Sequence, residues 1–81
     1  MLTLIGKPEC HLCDEMRKVV ESALRGSRLP LVELDVRDHP ELEKKYVFEI
    51  PVLLFQGQEV ARYRVTEAEL RERLGRHLRR S

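Results

Sequence analysis

Residues Ile50–Phe55 are apolar without interruption, whereas every other strand-like run in the chain carries a polar or charged residue. A strand with no polar side has no face to give to water. It therefore belongs inside a sheet that is covered on both faces, and other elements must supply the cover. At 81 residues the chain is shorter than the roughly 100–200 usual for one domain, so a single domain over residues 1–81 is expected. Charges interrupt every apolar stretch well short of the roughly 20 residues a bilayer span needs, so no membrane partner is expected.

The remaining elements arrange themselves around that run. Met1–Ile5 is a short apolar segment ended by Gly6 and Pro8, the pattern of a buried strand. From Cys10 the period changes: Leu12, Met16, Val19, Val20, Ala23 and Leu24 recur at three- and four-residue steps, which places one apolar stripe on a helix. Leu31–Val36 alternates with Glu33 and Asp35, as in a strand with one covered face. Asp38, Pro40 and Glu41 predict a helix start by a capping box, with Leu42 and Tyr46 following. Gln56-Gly57-Gln58 turns the apolar run into a fourth strand, Glu59–Tyr63. Thr66 and Glu69 form a second capping box, stapled by Val65 and Leu70, and Leu70, Leu74 and Leu78 continue along one helix face. The order is β-α-β-α-β-β-α. It implies an α/β fold: a right-handed parallel crossover joined to a hairpin, giving a mixed four-stranded sheet flanked by three helices.

Charge narrows the partner class. The net charge is +1, and the four aromatics (Tyr46, Phe48, Phe55, Tyr63) are too scattered for a base-stacking surface; they read as core and rim residues. Nucleic acid is therefore not an expected partner. Arg71, Arg73, Arg76, Arg79 and Arg80 gather near the C-terminus, where cations complement a helix dipole on a solvated face. A cytoplasmic monomer is expected, since no basic segment leads into a long apolar one at the N-terminus.

The chain has two cysteines, Cys10 and Cys13, one helical turn apart at the predicted strand-to-helix junction. A bridge across so short a loop constrains the unfolded chain by only about 2 kcal/mol, which makes it a weak staple. As chemistry the pair is well placed. Unpaired amides and the dipole at a helix start favour a thiolate, so reduced Cys10 is expected to titrate below the ordinary thiol value of about 8.5. Cys13, a turn further in and less exposed, is near enough to attack a mixed disulfide formed on Cys10. Lys7 adds a cation; Glu9 and Asp14 oppose it. A structural zinc site wants four ligands; beside the cysteines the chain offers only His11, His39 and His77, and His39 and His77, on other helices, lack ligand spacing, so no metal is expected. Two other readings stay open: a partner-binding adaptor with idle thiols, and a thiolate that bridges a metal or iron–sulfur cluster between chains.

Lys7-Pro8-Glu9-Cys10-His11-Leu12-Cys13, together with Ile50-Pro51 ahead of an apolar strand, resembles the glutaredoxin-like members of the thioredoxin superfamily, over essentially the whole chain. The resemblance implies a thiol–disulfide oxidoreductase of thioredoxin-like fold, with Cys10 as nucleophile and Cys13 as resolving thiol. It implies a cis Pro51 opposite the cysteines, which leaves the Ile50 backbone to pair with an extended substrate, and a role for Lys7. Substrates would be protein or low-molecular-weight disulfides, with glutathione or a thioredoxin-type reductase as the reductant and no bound cofactor. His11 and Leu12 stand where proline and tyrosine are usual in glutaredoxins. Arg64-Val65-Thr66-Glu67 stands where a Gly-Gly pair and an acidic residue usually help hold glutathione; here Arg64 and the Thr66 helix start would receive a carboxylate.

Overall fold

The computed structural model describes the backbone of residues 1–80 and the side chains of residues 1–77; Ser81 and the side chains of Leu78, Arg79 and Arg80, which the sequence assigns to the last helix faces, lie outside the described residues. Within those limits the elements follow in the expected order. They are β1 (Leu2–Gly6), α1 (His11–Ala23), β2 (Leu31–Asp35), α2 (Pro40–Tyr46), β3 (Val52–Phe55), β4 (Gln58–Arg62) and α3 (Glu67–Arg80). The sheet order is β2-β1-β3-β4, with β1 parallel to β2 and the other neighbours antiparallel. The two most apolar strands are thus the two interior ones, as their lack of a polar face requires.

Alternation along β1 and β3 divides the core. Leu2, Leu4, Leu53 and Phe55 point to one face, where Met16 and Val20 of α1 and Leu70 and Leu74 of α3 cover them. Ile5 and Val52 point to the other, against Val36 and Tyr46, with Leu42, Ile50 and Leu54 packed alongside. Two helices therefore cover one face and α2 the other. Leu70 is fully buried, and withdrawing a leucine side chain from water stabilises by about 1.5–3 kcal/mol. The aromatics divide: Tyr46 and Phe55 are buried, but Phe48 is 91 % exposed and belongs to neither core nor rim. It sits in the connection between α2 and β3, beyond the helix face that Tyr46 anchors.

Short-range signals decided the ends of most elements. The hairpin turn puts Gln56 and Gly57 at φ 50° and 83°, both positive as the tight two-residue loop that matches strand twist demands. At α3 the Thr66 Oγ1 accepts the Glu69 N–H (3.1 Å), and Glu69 Oε1 accepts the Thr66 N–H (3.0 Å). The start of α2 differs from the expected capping box at Asp38. Asp35 accepts the Arg37 N–H (2.9 Å) and grips the Arg37 guanidinium, which starts a 3-10 turn at Val36–Asp38. Asp38 is consumed within that turn, so His39 becomes the N-cap of α2 and makes no side-chain cap bond.

The capping box carries a pH signature. Its hydrogen bond from the Thr66 N–H holds the Glu69 carboxyl below the ordinary 4.5, with Arg73 adding a smaller pull. The carboxylate is thus easier to keep ionised in the fold than in the unfolded chain. Its contribution is complete above pH 4.5 and is lost as pH falls through the lower folded value. Glu69→Gln is expected to flatten the stability profile below pH 4.5 in denaturant titrations, and Thr66→Ala to cost about 1 kcal/mol at neutral pH. Within α3, an added Cβ on Gly75 would meet nothing within 4 Å. Gly75→Ala should therefore raise stability by about 0.5–1 kcal/mol, read as a higher thermal midpoint.

Candidate active site

The first turn of α1 is built around a sulfur. Pro8 and Glu9 (φ 58°) turn the chain out of β1, with a left-handed residue second in the turn where glycine would be easier. Cys10 follows in extended conformation as the N-cap of α1. Its Sγ accepts the Cys13 N–H at 3.2 Å, the place a serine or threonine oxygen takes in an ordinary cap. The Cys10 carbonyl accepts the Asp14 N–H (3.1 Å) and begins the helical ladder. Cys10 and Cys13 are paired as a disulfide, with Cα atoms 5.2 Å apart. Cys10 is half-buried, whereas Cys13 is 6 % exposed.

Two of the acids near the cysteine turn, Asp14 and Glu15, have basic neighbours on α1. Arg17 pairs with Asp14 (2.5 Å) and with Glu33 (2.9 Å); its Nε–H is not aligned on the Glu33 oxygen, so that contact is an ion pair rather than a hydrogen bond. His11 Nε2 lies 2.9 Å from Glu15 Oε1, one turn along α1. These contacts are solvent-exposed and individually weak. Arg17 thus offsets the negative charge of Asp14 beside the cysteine turn.

The Ile50-Pro51 bond is cis. Pro51 is buried, and its carbonyl accepts the Tyr63 N–H at 2.9 Å, which ties the loop before β3 to the end of β4. Tyr63 has φ 65°, and the Arg64 N–H bonds back to the Arg62 carbonyl (2.7 Å), a strained three-residue γ-turn. The Tyr63 hydroxyl reaches the Phe48 carbonyl (3.4 Å), and Arg62 pairs with both Glu49 (3.0 Å) and Glu59 (2.6 Å). Tyr63 thus braces the loop that carries Ile50 and Pro51. The sequence shows it only as the end of a strand, because a positive φ at a tyrosine leaves no mark on composition or period.

Two clefts flank the cysteine turn. One of about 430 Å³ collects Leu12, Met16, Val19, Tyr63, Arg64 and Thr66, so the fold brings three of the sequence candidates (Leu12, Arg64, Thr66) together between α1 and the start of α3. The Thr66 N–H in it is already taken by Glu69. The other, of about 280 Å³, places Lys7 and Pro8 beside Cys13, Asp14, Arg17 and Glu33. His11, Ile50 and Pro51 line neither cleft.

A family model of the glutaredoxin-like domain (DUF836) matches residues 1–75. The chain belongs to this glutaredoxin-like family. Among solved structures it is similar to the structural-genomics target protein XcR50 from X. campestris, at 27 % identity and TM-score 0.79, over 94 % of this chain and 97 % of that one. Protein Ne2328 from Nitrosomonas europaea shares the fold at 23 % identity and TM-score 0.75, over 94 % and 87 % of the two chains. Thioredoxin 1 from Thermosipho africanus shares it at 19 % identity and TM-score 0.67, over 96 % and 93 %. The fold is thioredoxin-like, and in this glutaredoxin-like protein the cysteine pair stands at its β1–α1 junction. Among the described residues no helix is long and apolar enough to cross a membrane.

The Tyr63 brace is testable without any substrate. A left-handed residue other than glycine costs about 1–2 kcal/mol. Tyr63→Gly should therefore be more stable than Tyr63→Ala by about 1 kcal/mol in urea unfolding, although both lose the same ring. Equal stabilities would contradict a strained backbone at this position.

Proposed function

We propose that the protein is a thiol–disulfide oxidoreductase working by dithiol exchange, with Cys10 as nucleophile and Cys13 as resolving thiol. The observation that carries this reading is the asymmetry of the pair: Cys10, whose Sγ is the N-cap acceptor of α1, is only half-buried, while Cys13 is buried one turn in. A sulfur that accepts an amide hydrogen bond at a helix start is stabilised as the anion, which is the attacking form. The buried thiol is kept protonated until the first has reacted.

In the forward direction the Cys10 thiolate attacks one sulfur of a substrate disulfide. A Cys10–substrate disulfide forms, and the second substrate sulfur leaves as a thiolate that takes up a proton. Cys13 then loses its proton and attacks Cys10 Sγ. The Cys10–Cys13 disulfide forms, the first substrate sulfur is released as a thiol, and the substrate has gained two electrons and two protons. The substrates are protein or low-molecular-weight disulfides, and glutathione or a thioredoxin-type reductase returns the two electrons. Leu12, Arg64 and Thr66 on the larger cleft, with Lys7, His11 and the Ile50-Pro51 loop, form the surface that meets substrate. Arg64, with no acidic partner among the described residues, is the cation there for a substrate carboxylate.

The test is to incubate reduced Cys13→Ser and Cys10→Ser variants with glutathione disulfide and with a peptide disulfide, and to weigh the products. Cys13→Ser is expected to accumulate a mixed disulfide on Cys10, and Cys10→Ser to form at least tenfold less on Cys13. Adducts on neither variant would overturn the reading. Capture of the same partners by a variant lacking both thiols would make the protein an adaptor, and metal bound to the anaerobically purified chain would make Cys10 a ligand.

A further inference from the structure

Gly6 is the last residue of β1, paired with Asp35 of β2, and it is buried. Two of the four glycines, Gly26 and Gly57, take a positive φ that side chains avoid; Gly6 does not. Its backbone is ordinary strand, which alanine adopts at least as well. The absence of a side chain must therefore serve space, and the space is occupied. A Cβ on Gly6 would lie 2.9 Å from Cys13 Sγ, closer than such atoms approach, and 3.2 Å from Cys13 Cβ, a tight contact.

From this we infer that Gly6 is the positioning residue for the resolving sulfur: its missing side chain is the seat in which Cys13 Sγ rests against β1 when it is bonded to Cys10. The inference rests on the dithiol reading above and adds a residue that acts through Cys13 without touching substrate. The seat matters unequally in the two redox states. In the disulfide, Cys13 Sγ is tied to Cys10 and has nowhere to retreat. In the dithiol, the same sulfur is the free end of a side chain beside the 280 Å³ cleft that Cys13 lines, and rotation about one bond relieves the contact with Sγ, while the 3.2 Å contact with Cys13 Cβ is common to both states. A methyl group at position 6 therefore raises the free energy of the disulfide more than that of the dithiol. It also pulls the resolving sulfur out of attacking position, and small misplacements of reacting atoms cost large factors in rate.

The experiment is Gly6→Ala, with Gly75→Ala as a control glycine whose added Cβ meets nothing within 4 Å. Each protein is equilibrated with mixtures of reduced and oxidised dithiothreitol, in which two electrons and two protons pass between the probe and the Cys10–Cys13 pair. Gly6→Ala is expected to shift this equilibrium toward the protein dithiol by on the order of tenfold. It should also prolong the life of a mixed disulfide on Cys10 by a similar factor, while reduced Cys10 reacts with iodoacetamide as in the unaltered protein. Gly75→Ala should change neither. A Gly6→Ala equilibrium and resolution rate within about twofold of the unaltered protein would overturn the inference. The dithiothreitol equilibrium needs no substrate, so it judges Gly6 even where the mixed-disulfide test fails the dithiol reading. Should Gly6→Ala not fold, the Gly6→Ala, Cys13→Ala double variant decides: recovery of folding places the clash at the sulfur, and failure in both places it away from the sulfur and refutes the proposal.

Discussion

A single amide–sulfur contact at the head of α1 organises the cysteine turn, and the proposed chemistry rests on it. Four N–H groups at a helix start have no partner within the helix, and one of them, that of Cys13, is answered by Cys10 Sγ. The same contact ends the loop from β1, begins the helix and places an amide donor on the sulfur of the less buried cysteine. Folding and the proposed reactivity share this bond. Replacing the sulfur with a serine oxygen would keep the cap and remove the proposed nucleophile.

The sheet holds that turn in place from below. β1 runs through the middle of the sheet, and its Leu2, Leu4 and Ile5 are buried on both faces. Its C-terminal end is therefore a fixed point from which Pro8, Glu9 and Cys10 emerge. β3, the other interior strand, starts beside the same end, since Val52 pairs with Ile5. This register brings the Ile50-Pro51 loop to the edge of the sheet from which the cysteine turn departs. Tyr63 and the Arg62 ion pairs then brace the loop from β4. The site is assembled from three separate connections, each tied to an interior strand or to its neighbour.

Much of this was legible in the sequence because it is decided locally. The uninterrupted run at Ile50–Phe55 marked an interior strand, the three- and four-residue steps from Leu12 to Leu24 marked α1, and the Thr66–Glu69 spacing marked the head of α3. The Cys10–Cys13 spacing marked the cysteine turn at the strand-to-helix junction. What escaped is decided by contacts between distant segments or by backbone angles. The hold of Asp35 on Arg37 moved the start of α2 past Asp38, through a choice between two nearby acids that spacing alone does not rank. The exposure of Phe48 depends on where the end of α2 lies relative to the sheet. The role of Gly6 depends on a sulfur seven residues away being pressed against β1, which no periodicity encodes.

The central claim is that the start of α1 holds Cys10 as an anion while Cys13 stays a buried thiol. The most direct measurement is the rate of alkylation of each cysteine in the reduced protein as a function of pH, resolved by peptide mass. The account predicts that Cys10 reacts with a midpoint below the ordinary thiol value of about 8.5, and that Cys13 reacts later and more slowly. Equal midpoints near the ordinary value, or Cys13 reacting first, would contradict it.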